Sequence, residues 1–310
     1  MKLSGFKLLA IAAGAALLLS GCSSSASSKP TEGDASSGAP VGNEVTTEAN
    51  PELHELLPED IISRGSINVA MGLPSPPSSM YDDNQRPVGF DPELARLLGQ
   101  KLDIDIKIEK QAFDSVIPSL QAGKHDIVMT GMTDTPERQK TLTFIDYTYA
   151  GFAIVVKKGN PDGIETQDDL CGRTVAIQKA TVQADILRAL DCGGDDVKLL
   201  ELPSDLDGQT ALRAGKADAF STDALPAEYM VANTGNGKSF EIVRDPDNPK
   251  GFSPVYNGIG VLKDKTELID ALQAAFQELI DEGTYKEVAD RNNYTPYMVE
   301  SAETNQGVAQ

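Results

Sequence analysis

The sequence predicts an α/β fold made of two related lobes, and two features of the chain support this prediction. Apolar runs of strand length alternate with amphipathic stretches of helical period, an order that favours a largely parallel sheet with flanking helices. The segment at residues 120–126 (LQAGKHD) is echoed at residues 212–218 (LRAGKAD), and each copy precedes a short apolar strand. Because the same elements follow in the same order at both places, we interpret the copies as equivalent parts of two lobes.

The elements of the first lobe follow from local patterns. Asp91 as N-cap and Pro92 at the first helical position predict the start of a helix with an apolar face. Ligands of open α/β sheets bind beyond the carboxyl ends of the strands, so residues 130–133 and 221–223 are predicted to face each other across a cleft. The predicted first-lobe elements are a strand at 66–71, the helix at 92–102, a strand at 104–108, a helix at 115–121 and a strand at 126–130.

The first residues are typical of a targeting segment. Two lysines precede an apolar run at residues 8–19 that is too short to span a membrane comfortably, and small residues then lead to Cys22. This order resembles the lipobox of bacterial lipoproteins and predicts a signal peptide at 1–21 with a lipid on Cys22; an ordinary secretory signal with a chance cysteine is the alternative. Residues 22–52, rich in Ser, Ala, Gly and Thr, are predicted to be a flexible linker.

Composition excludes two classes of partner. The formal net charge of −20 and the pI near 4.4 argue against nucleic acid and against a polybasic membrane-binding face. Beyond Cys22 the chain holds Cys171 and Cys192, for which a disulfide is favoured over free thiols in an oxidising compartment. The two histidines, His54 and His125, lie far from these cysteines in the sequence, so we predict no metal site and no cofactor.

Residues 130–138 (TGMTDTPER) combine the features of a carboxylate-binding site. Thr135 as N-cap, followed by proline, predicts a helix with Arg138 in its first turn, where a guanidinium can add a two-pronged grip to the helix dipole. Gly131 allows a ligand to approach the backbone closely, and Thr133 offers a hydroxyl. The alternative is that Arg138 only forms a salt bridge with the preceding glutamate or with a neighbouring lobe.

The second lobe supplies groups that face this segment. Thr181 lies in a strand-to-helix turn at residues 178–183, where its hydroxyl and the backbone amides are placed for the same anion. Asp223 follows the second echoed strand and can take a ligand ammonium; its other possible role is the N-cap of the next helix. Phe113 is an ordinary core residue in most proteins, but it packs against the ligand side chain if it faces the cleft.

Three stretches of the chain resemble the motifs of a known protein family. Residues 89–95 (GFDPELA), 113–131 and 135–138 (TPER) are similar to the signature of the family-3 solute-binding proteins of ABC importers, the polar amino-acid binders. The resemblance runs from about residue 65 to residue 291, and its strength lies in the order and spacing of these motifs. It implies a type II periplasmic-binding-protein clamshell: each lobe a mostly parallel sheet with flanking helices, joined by two hinge strands and closing on its ligand.

The resemblance also implies roles for single residues. Arg138 corresponds to the arginine that grips the ligand α-carboxylate, with backbone or hydroxyl help from Gly131, Thr133 and Thr181. Asp223 corresponds to the acid that receives the α-ammonium. The predicted ligand-binding set is Ser75, Phe113, Thr130, Gly131, Thr133, Arg138, Thr181 and Asp223.

Two departures from the family pattern stand out. Ser75 occupies the position where many relatives carry an aromatic residue that sandwiches the ligand, so the usual preference for cationic or flat ligands is not carried over. Ala180 replaces a glycine before the carboxylate-binding threonine, which perturbs the backbone there. The implied boundaries are 1–21 signal peptide, 22–52 lipidated cysteine and linker, 53–152 with 254–300 first lobe, 153–253 second lobe and 301–310 tail, with hinges at 150–155 and 251–255.

The predicted function is therefore binding without catalysis: a monomeric, lipid-anchored, extracytoplasmic protein that delivers an amino acid or related small zwitterion to an ABC permease. The alternatives are an enzyme on the same fold, such as a periplasmic dehydratase, or a ligand sensor. A dehydratase needs a carboxylic acid aimed at the ligand, and the only candidate is Asp223, which the ammonium already uses. A transglycosylase needs a further domain, and a sensor needs a receptor partner.

Overall fold

The computed structural model describes residues 44–308. The predicted signal peptide, Cys22 and the linker up to residue 43 lie outside the described residues. The α-helices are α1 (Pro51–His54), α2 (Glu59–Arg64), α3 (Phe90–Lys101), α4 (Val116–Gln121), α5 (Val182–Arg188), α6 (Asp205–Arg213), α7 (Ala224–Asn233), α8 (Thr266–Asp281) and α9 (Thr284–Arg291). The strands are β1 (Ser66–Met71), β2 (Met80–Tyr81), β3 (Pro87–Val88), β4 (Asp105–Lys110), β5 (Ile127–Val128), β6 (Leu142–Lys157), β7 (Thr174–Gln178), β8 (Lys198–Leu202), β9 (Ala219–Asp223), β10 (Phe240–Val243) and β11 (Phe252–Leu262).

A mixed sheet in the order β4-β1-β5-β11-β6-β9-β7-β8, with β10 paired to β6, connects both halves of the molecule. Strands β1, β4 and β5 are parallel in the first half, and β7, β8 and β9 are parallel in the second. The long strands β6 and β11 pair with each other in antiparallel register, and β6 continues into the second half, where it pairs with β9. These strands connect two lobes, which confirms the predicted α/β clamshell.

Each lobe has its own apolar core, because its strands bury side chains under helices on the sheet faces. In the first lobe, α3 and α8 pack on the sheet through Leu94 and Phe276, which are fully buried. In the second lobe, Val175 belongs to the cluster on one face and Phe220 to the cluster on the other. The first-lobe cluster also takes in Ala224 and Leu225 from the start of α7, so the two cores meet at this helix.

The sequence echo has a structural counterpart. Asp126 and Asp218 each precede the echoed strand, and each carboxylate accepts a backbone N–H from the first strand of its lobe, from Asn68 at 2.7 Å and from Thr174 at 2.8 Å. Each aspartate also returns its own N–H to the carbonyl of the same residue. The repeated Gly-Lys-x-Asp sequence therefore fixes the register of the central strands in both lobes.

The start of α3 differs from the sequence prediction. The helix begins at Phe90 with Gly89 as N-cap, and no side chain caps it. Asp91 was expected as the N-cap, but it lies inside the first turn and is only 1 % exposed. Its carboxylate accepts a hydrogen bond from the hydroxyl of Tyr147 on β6, a tertiary contact that local sequence patterns do not reveal.

Both ends of the described chain pack on the first lobe. Val45 is buried, and the N–H of Asn50 donates to the carbonyl of Lys101 at 2.9 Å. The last part of the predicted linker therefore contacts the body, through the buried Val45, the N–H of Thr47 on the Gln100 side chain, and Asn50. At the other end, Thr304 pairs with Ile145, so the predicted tail is held against β6.

A disulfide joins Cys171 and Cys192 in the second lobe, as the sequence predicts. It ties the segment before β7 to the segment after α5. A cross-link over a loop of this size stabilises a domain by about 3 kcal/mol, mainly by restricting the unfolded chain. Within residues 44–308, no helix is both long enough and apolar enough to cross a membrane.

Candidate functional site

A cavity of about 320 Å³ lies in the cleft between the lobes. Its walls are the turns that follow β1 and β5 in the first lobe and β7, β8 and β9 in the second, as expected for the carboxyl ends of parallel strands. Seven of the eight predicted ligand-binding residues line it: Ser75, Phe113, Thr130, Gly131, Thr133, Thr181 and Asp223. The tertiary structure therefore brings together residues from both lobes that are far apart in the sequence.

Arg138 is the predicted residue that does not line this cavity. Its guanidinium donates to the carbonyl of Thr133 at 2.7 Å in the first lobe and to the carbonyl of Ala180 at 3.0 Å in the second. The guanidinium carbon also lies 5.7 Å from the ring centroid of Phe113, at the edge of the cleft. Burial lowers the pKa of Arg138 to about 10, so the side chain remains positively charged at neutral pH.

The helix predicted around Arg138 is a single 3₁₀ turn, Arg138–Lys140. Its N-cap position is Glu137 and not the predicted Thr135, although the Thr135 hydroxyl oxygen does accept the N–H of Arg138 at 3.2 Å. A turn of this length has too few aligned peptide units to produce a useful dipole, so the prediction of a helix end as part of an anion site is wrong here. Any attraction for a carboxylate at this place comes from the guanidinium itself.

Gly131 lies at the end of a buried hydrogen-bond chain. Its backbone adopts a left-handed conformation with φ of 58°, and its N–H donates to the hydroxyl of Tyr147 at 2.9 Å. That hydroxyl in turn donates to Oδ1 of Asp91 at 3.0 Å. Burial raises the pKa of Asp91 to about 7. These hydrogen bonds hold the Thr130–Thr133 turn in place. The Thr130 hydroxyl oxygen also accepts the N–H of Gly72 at 2.9 Å.

Asp223 is the last residue of β9, directly before α7. It occupies the N-cap position but makes no side-chain capping bond; instead its Oδ1 accepts from the amide of Gln183. Burial, with the nearby charges of Asp205 and Asp91, raises the pKa of Asp223 to about 7. A carboxylate held in this way, with an amide rather than a cation as its partner, is well suited to receive an ammonium group.

Thr181 terminates the turn after β7 and is the N-cap of α5. Its hydroxyl donates to the carbonyl of Gln178 at 2.8 Å and accepts the N–H of Ala184 at 3.4 Å. The preceding Ala180 has φ of 63°, a left-handed conformation that glycine adopts far more readily. Ala180, which stands where the family pattern has glycine, therefore has a strained backbone. The carbonyl of Ala180 is the one that Arg138 contacts.

Replacing Ala180 by glycine is expected to raise the free energy of unfolding by up to about 1 kcal/mol, because the strain of the left-handed alanine exceeds the entropy cost of glycine. The measurement is chemical denaturation of the two proteins. Ala189, at the right-handed C-cap of α5 with φ of −88°, is the matched control, and its change to glycine should not stabilise. A destabilised Ala180→Gly protein would contradict the strain argument.

Further contacts hold the lobes together. Lys179 on the second lobe forms an ion pair with Asp114 on the first, with 2.7 Å between Nζ and Oδ2. Ser75 lines the cavity from a loop closed by hydrogen bonds between its own backbone and that of Ser79. The Lys179–Asp114 ion pair and the bond from Arg138 to the carbonyl of Ala180 both cross the cleft, so the two lobes are in contact at its edge.

Several residues that line the cavity are not among the predicted ligand-binding residues. They include one buried acid from the first lobe and four polar residues from the second: Asp91, Gln183, Asp205, Ser221 and Thr222. Asp205 lies three residues after the end of β8, so the rule that places ligand-binding groups beyond the carboxyl ends of strands would also have selected it. Asp91 offered no such signal, because only the packing of α3 on β6 turns it inward. In residues 44–308, no group of three or more His, Cys, Asp or Glu side chains is placed to hold a metal ion.

Two lobes joined by crossing strands, with a polar cavity at the carboxyl ends of both sets of parallel strands, define a two-lobed solute-binding protein. Comparison with known sequences agrees: residues 67–294 match the bacterial extracellular solute-binding proteins, family 3. The chain belongs to this family, whose members similar to it are amino-acid-binding proteins of ABC transporters.

Individual relatives show the same relationship. The chain is 30% identical over 261 residues to the arginine-binding protein ArgT of Corynebacterium glutamicum, covering 81% of this chain and 82% of that protein. It is also 30% identical over 226 residues to ABC transporter arginine-binding protein 1 of Escherichia coli K12, covering 73% and 89%. A similar solved structure is the ancestral amino acid-binding protein AncCDT-1, a precursor of cyclohexadienyl dehydratase. Its TM-score is 0.66 at 29% identity, over 75% of this chain and 97% of that one.

Proposed function

We propose that this protein is a lipid-anchored receptor that captures an α-amino acid outside the cytoplasm and delivers it to an ABC permease. The observation that supports it best is the placement of opposite charges at the cleft: the guanidinium of Arg138 reaches both lobes, and the carboxylate of Asp223 lines the cavity. One zwitterion, with its carboxylate near the first and its ammonium near the second, can satisfy both groups.

Arg138 has the capacity for this role even though it already makes two hydrogen bonds. A guanidinium carries five N–H donors, and two of them serve the carbonyls of Thr133 and Ala180. Those two bonds orient the group, and the remaining donors are available for a ligand carboxylate. The hydroxyl of Thr133, from a residue that is 5 % exposed and lines the cavity, is a second donor for the same carboxylate.

Closure of the cleft is the step that couples binding to transport in this proposal. The ligand shifts an open–closed equilibrium because only the closed form brings Arg138 and Asp223 within reach of the same molecule. The closed surface then docks on the permease, and a separate subunit hydrolyses ATP. Cys22, with its lipid, keeps the receptor at the outer face of the membrane; partition of the exported protein into the detergent phase, lost in Cys22→Ser, tests this part.

An enzyme on this fold is the second candidate, and one observation bears on it. AncCDT-1 is described as both an amino acid-binding protein and the precursor of a dehydratase, so the fold accommodates both functions. Of the buried acids that line the cavity, Asp91 accepts from Tyr147 and Asp223 from Gln183. Each of these carboxylates is engaged by a neighbouring side chain, whereas the opposite charges of Arg138 and Asp223 suit a zwitterion, so binding is the better-supported function.

The decisive experiment is calorimetric titration of the exported chain with the twenty common L-amino acids. The protein is first unfolded and refolded to remove any ligand carried through purification. Saturable binding of one or a few amino acids supports the proposal. Absence of binding to every amino acid in the panel would contradict it.

A further inference from the structure

Asp205 lines the cleft cavity but has no role in the proposed α-amino-acid clamp. Asp205 is the first residue of α6, and the helix is capped not by it but by Ser204, whose hydroxyl oxygen accepts the N–H of Asp207. The Asp205 carboxylate therefore does not cap the helix. It lines the cleft cavity, where the hydroxyl of Thr222 is its hydrogen-bond partner. Among the described lysines and arginines, none forms an ion pair with it.

The charged residues of the cavity wall are mostly acidic. Four aspartates line it, Asp91, Asp205, Asp207 and Asp223, against a single lysine, Lys110. A zwitterion adds no net charge, so it leaves this excess of carboxylates in place. A ligand with a further positive charge would compensate it, most strongly at Asp91, Asp205 and Asp223, which are buried or partly buried, and least at the exposed Asp207.

Two buried atoms independently indicate that the cavity is built around polar groups of a ligand. Oδ2 of Asp91 and Oγ of Ser221 have no hydrogen-bond partner, although both residues line the cavity and are 1 % exposed. Buried polar groups are normally paired, so unpaired ones at a cleft point to a ligand that completes them. Ser221 lies on β9 two residues before Asp223, on the same wall as Asp205.

The cavity also has room for a side chain that extends to Asp205. A second cavity of about 160 Å³ in the second lobe shares four lining residues with the first, namely Asp205, Leu206, Thr222 and Pro226. Its far side is formed by Phe220, Tyr229 and Met230. Asp205 thus lines both cavities and lies at the place where they share a wall.

We infer that Asp205 binds the positively charged end of the ligand side chain, so that the substrate is a basic amino acid with a long side chain. This inference rests on the proposed function, because it needs the α-amino and α-carboxyl groups to be held at Arg138 and Asp223. It makes Asp205 a specificity-determining residue. A cation between Asp205 and Asp223 also relieves their mutual repulsion, which together with burial raises the pKa of Asp223.

The test compares L-arginine with L-citrulline, which has nearly the same shape but no side-chain charge. Calorimetric titration of the refolded full-length protein is expected to show arginine binding at least about 30-fold more tightly than citrulline. In Asp205→Asn the affinity for arginine should fall by a similar factor, and the affinity for citrulline should change by less than about threefold. Asp196→Asn, on an exposed loop of the same lobe, makes the same charge change and should leave both affinities unaltered.

Each outcome separates the inference from the proposed function. If citrulline binds as tightly as arginine, or if Asp205→Asn keeps the preference for arginine, the inference is overturned while amino-acid binding stands. If no amino acid binds the unaltered protein, both are overturned. Retained citrulline binding shows that the Asp205→Asn protein is folded. If the Asp205→Asn protein binds neither ligand, the Asp205→Glu protein is tested instead. It keeps a carboxylate, so the inference requires it to prefer arginine over citrulline, and equal affinities would overturn the inference.

Discussion

Replacing Arg138 by alanine is expected to weaken amino-acid binding by about 2–5 kcal/mol. The change removes the proposed partner of the ligand carboxylate from a largely desolvated place. It also removes the hydrogen bonds to the carbonyls of Thr133 and Ala180, through which one side chain contacts both lobes. The loss therefore combines a missing charge pair with a less stable closed form, and calorimetric titration measures the sum.

Lys140 is the matched control for this substitution. It lies two residues away in the same 3₁₀ turn, but its side chain is exposed and pairs only with Glu137. Lys140→Ala should leave the affinity unchanged. Arg138→Lys separates the contribution of the positive charge from that of the hydrogen bonds. Lysine keeps the charge, but it lacks the planar guanidinium that can bond to a carboxylate and two carbonyls together, so most of the loss of affinity should remain. An Arg138→Ala protein that binds within a few-fold of the original would show that Arg138 is not the clamp.

Replacing Asp223 by asparagine is expected to cost about 2–5 kcal/mol of binding free energy, because the ligand ammonium loses its charged partner in the cavity. Asparagine keeps the size of the side chain, and its amide can still pair with Gln183. The fold should therefore survive, which thermal denaturation checks, and the loss of affinity then reports on the charge alone. An Asp223→Asn protein of undiminished affinity would place the ammonium elsewhere.

The pH dependence of binding gives an independent measure of the same carboxylate. The pKa of Asp223 is raised to about 7 in the protein as described, and a bound ammonium favours the ionised form and lowers it. Binding must therefore expel a proton at pH values below 7, and none at higher pH. The affinity should be constant above about pH 8 and fall by about tenfold by pH 6, and Asp223→Asn should reduce this dependence. Asp205, with a pKa raised to about 6, contributes only at the acidic end of that range.

The sequence by itself determined the elements and the chemistry that depends on neighbours in the chain. The echoed helix–turn–strand segments, with glycine at the turn and aspartate before the strand, predicted two α/β lobes, and Asp126 and Asp218 make matching backbone contacts. The end of β9 predicted Asp223 at the cleft. These predictions succeed because hydrophobic period, turn residues and the polarity of strands are local properties.

Only the tertiary structure decided the features that depend on contacts across the molecule. The packing of α3 against β6 turned Asp91 from a predicted helix cap into a buried partner of Tyr147. The segment at Arg138 forms one 3₁₀ turn instead of the predicted helix. The Arg138 guanidinium contacts carbonyl groups of both lobes. The closeness of Asp205 and Asp91 to Asp223, which with burial raises the pKa of Asp223, depends on how separate strands and helices pack around the cavity. Burial and charge proximity of this kind arise from long-range packing, and no local pattern in the sequence records them.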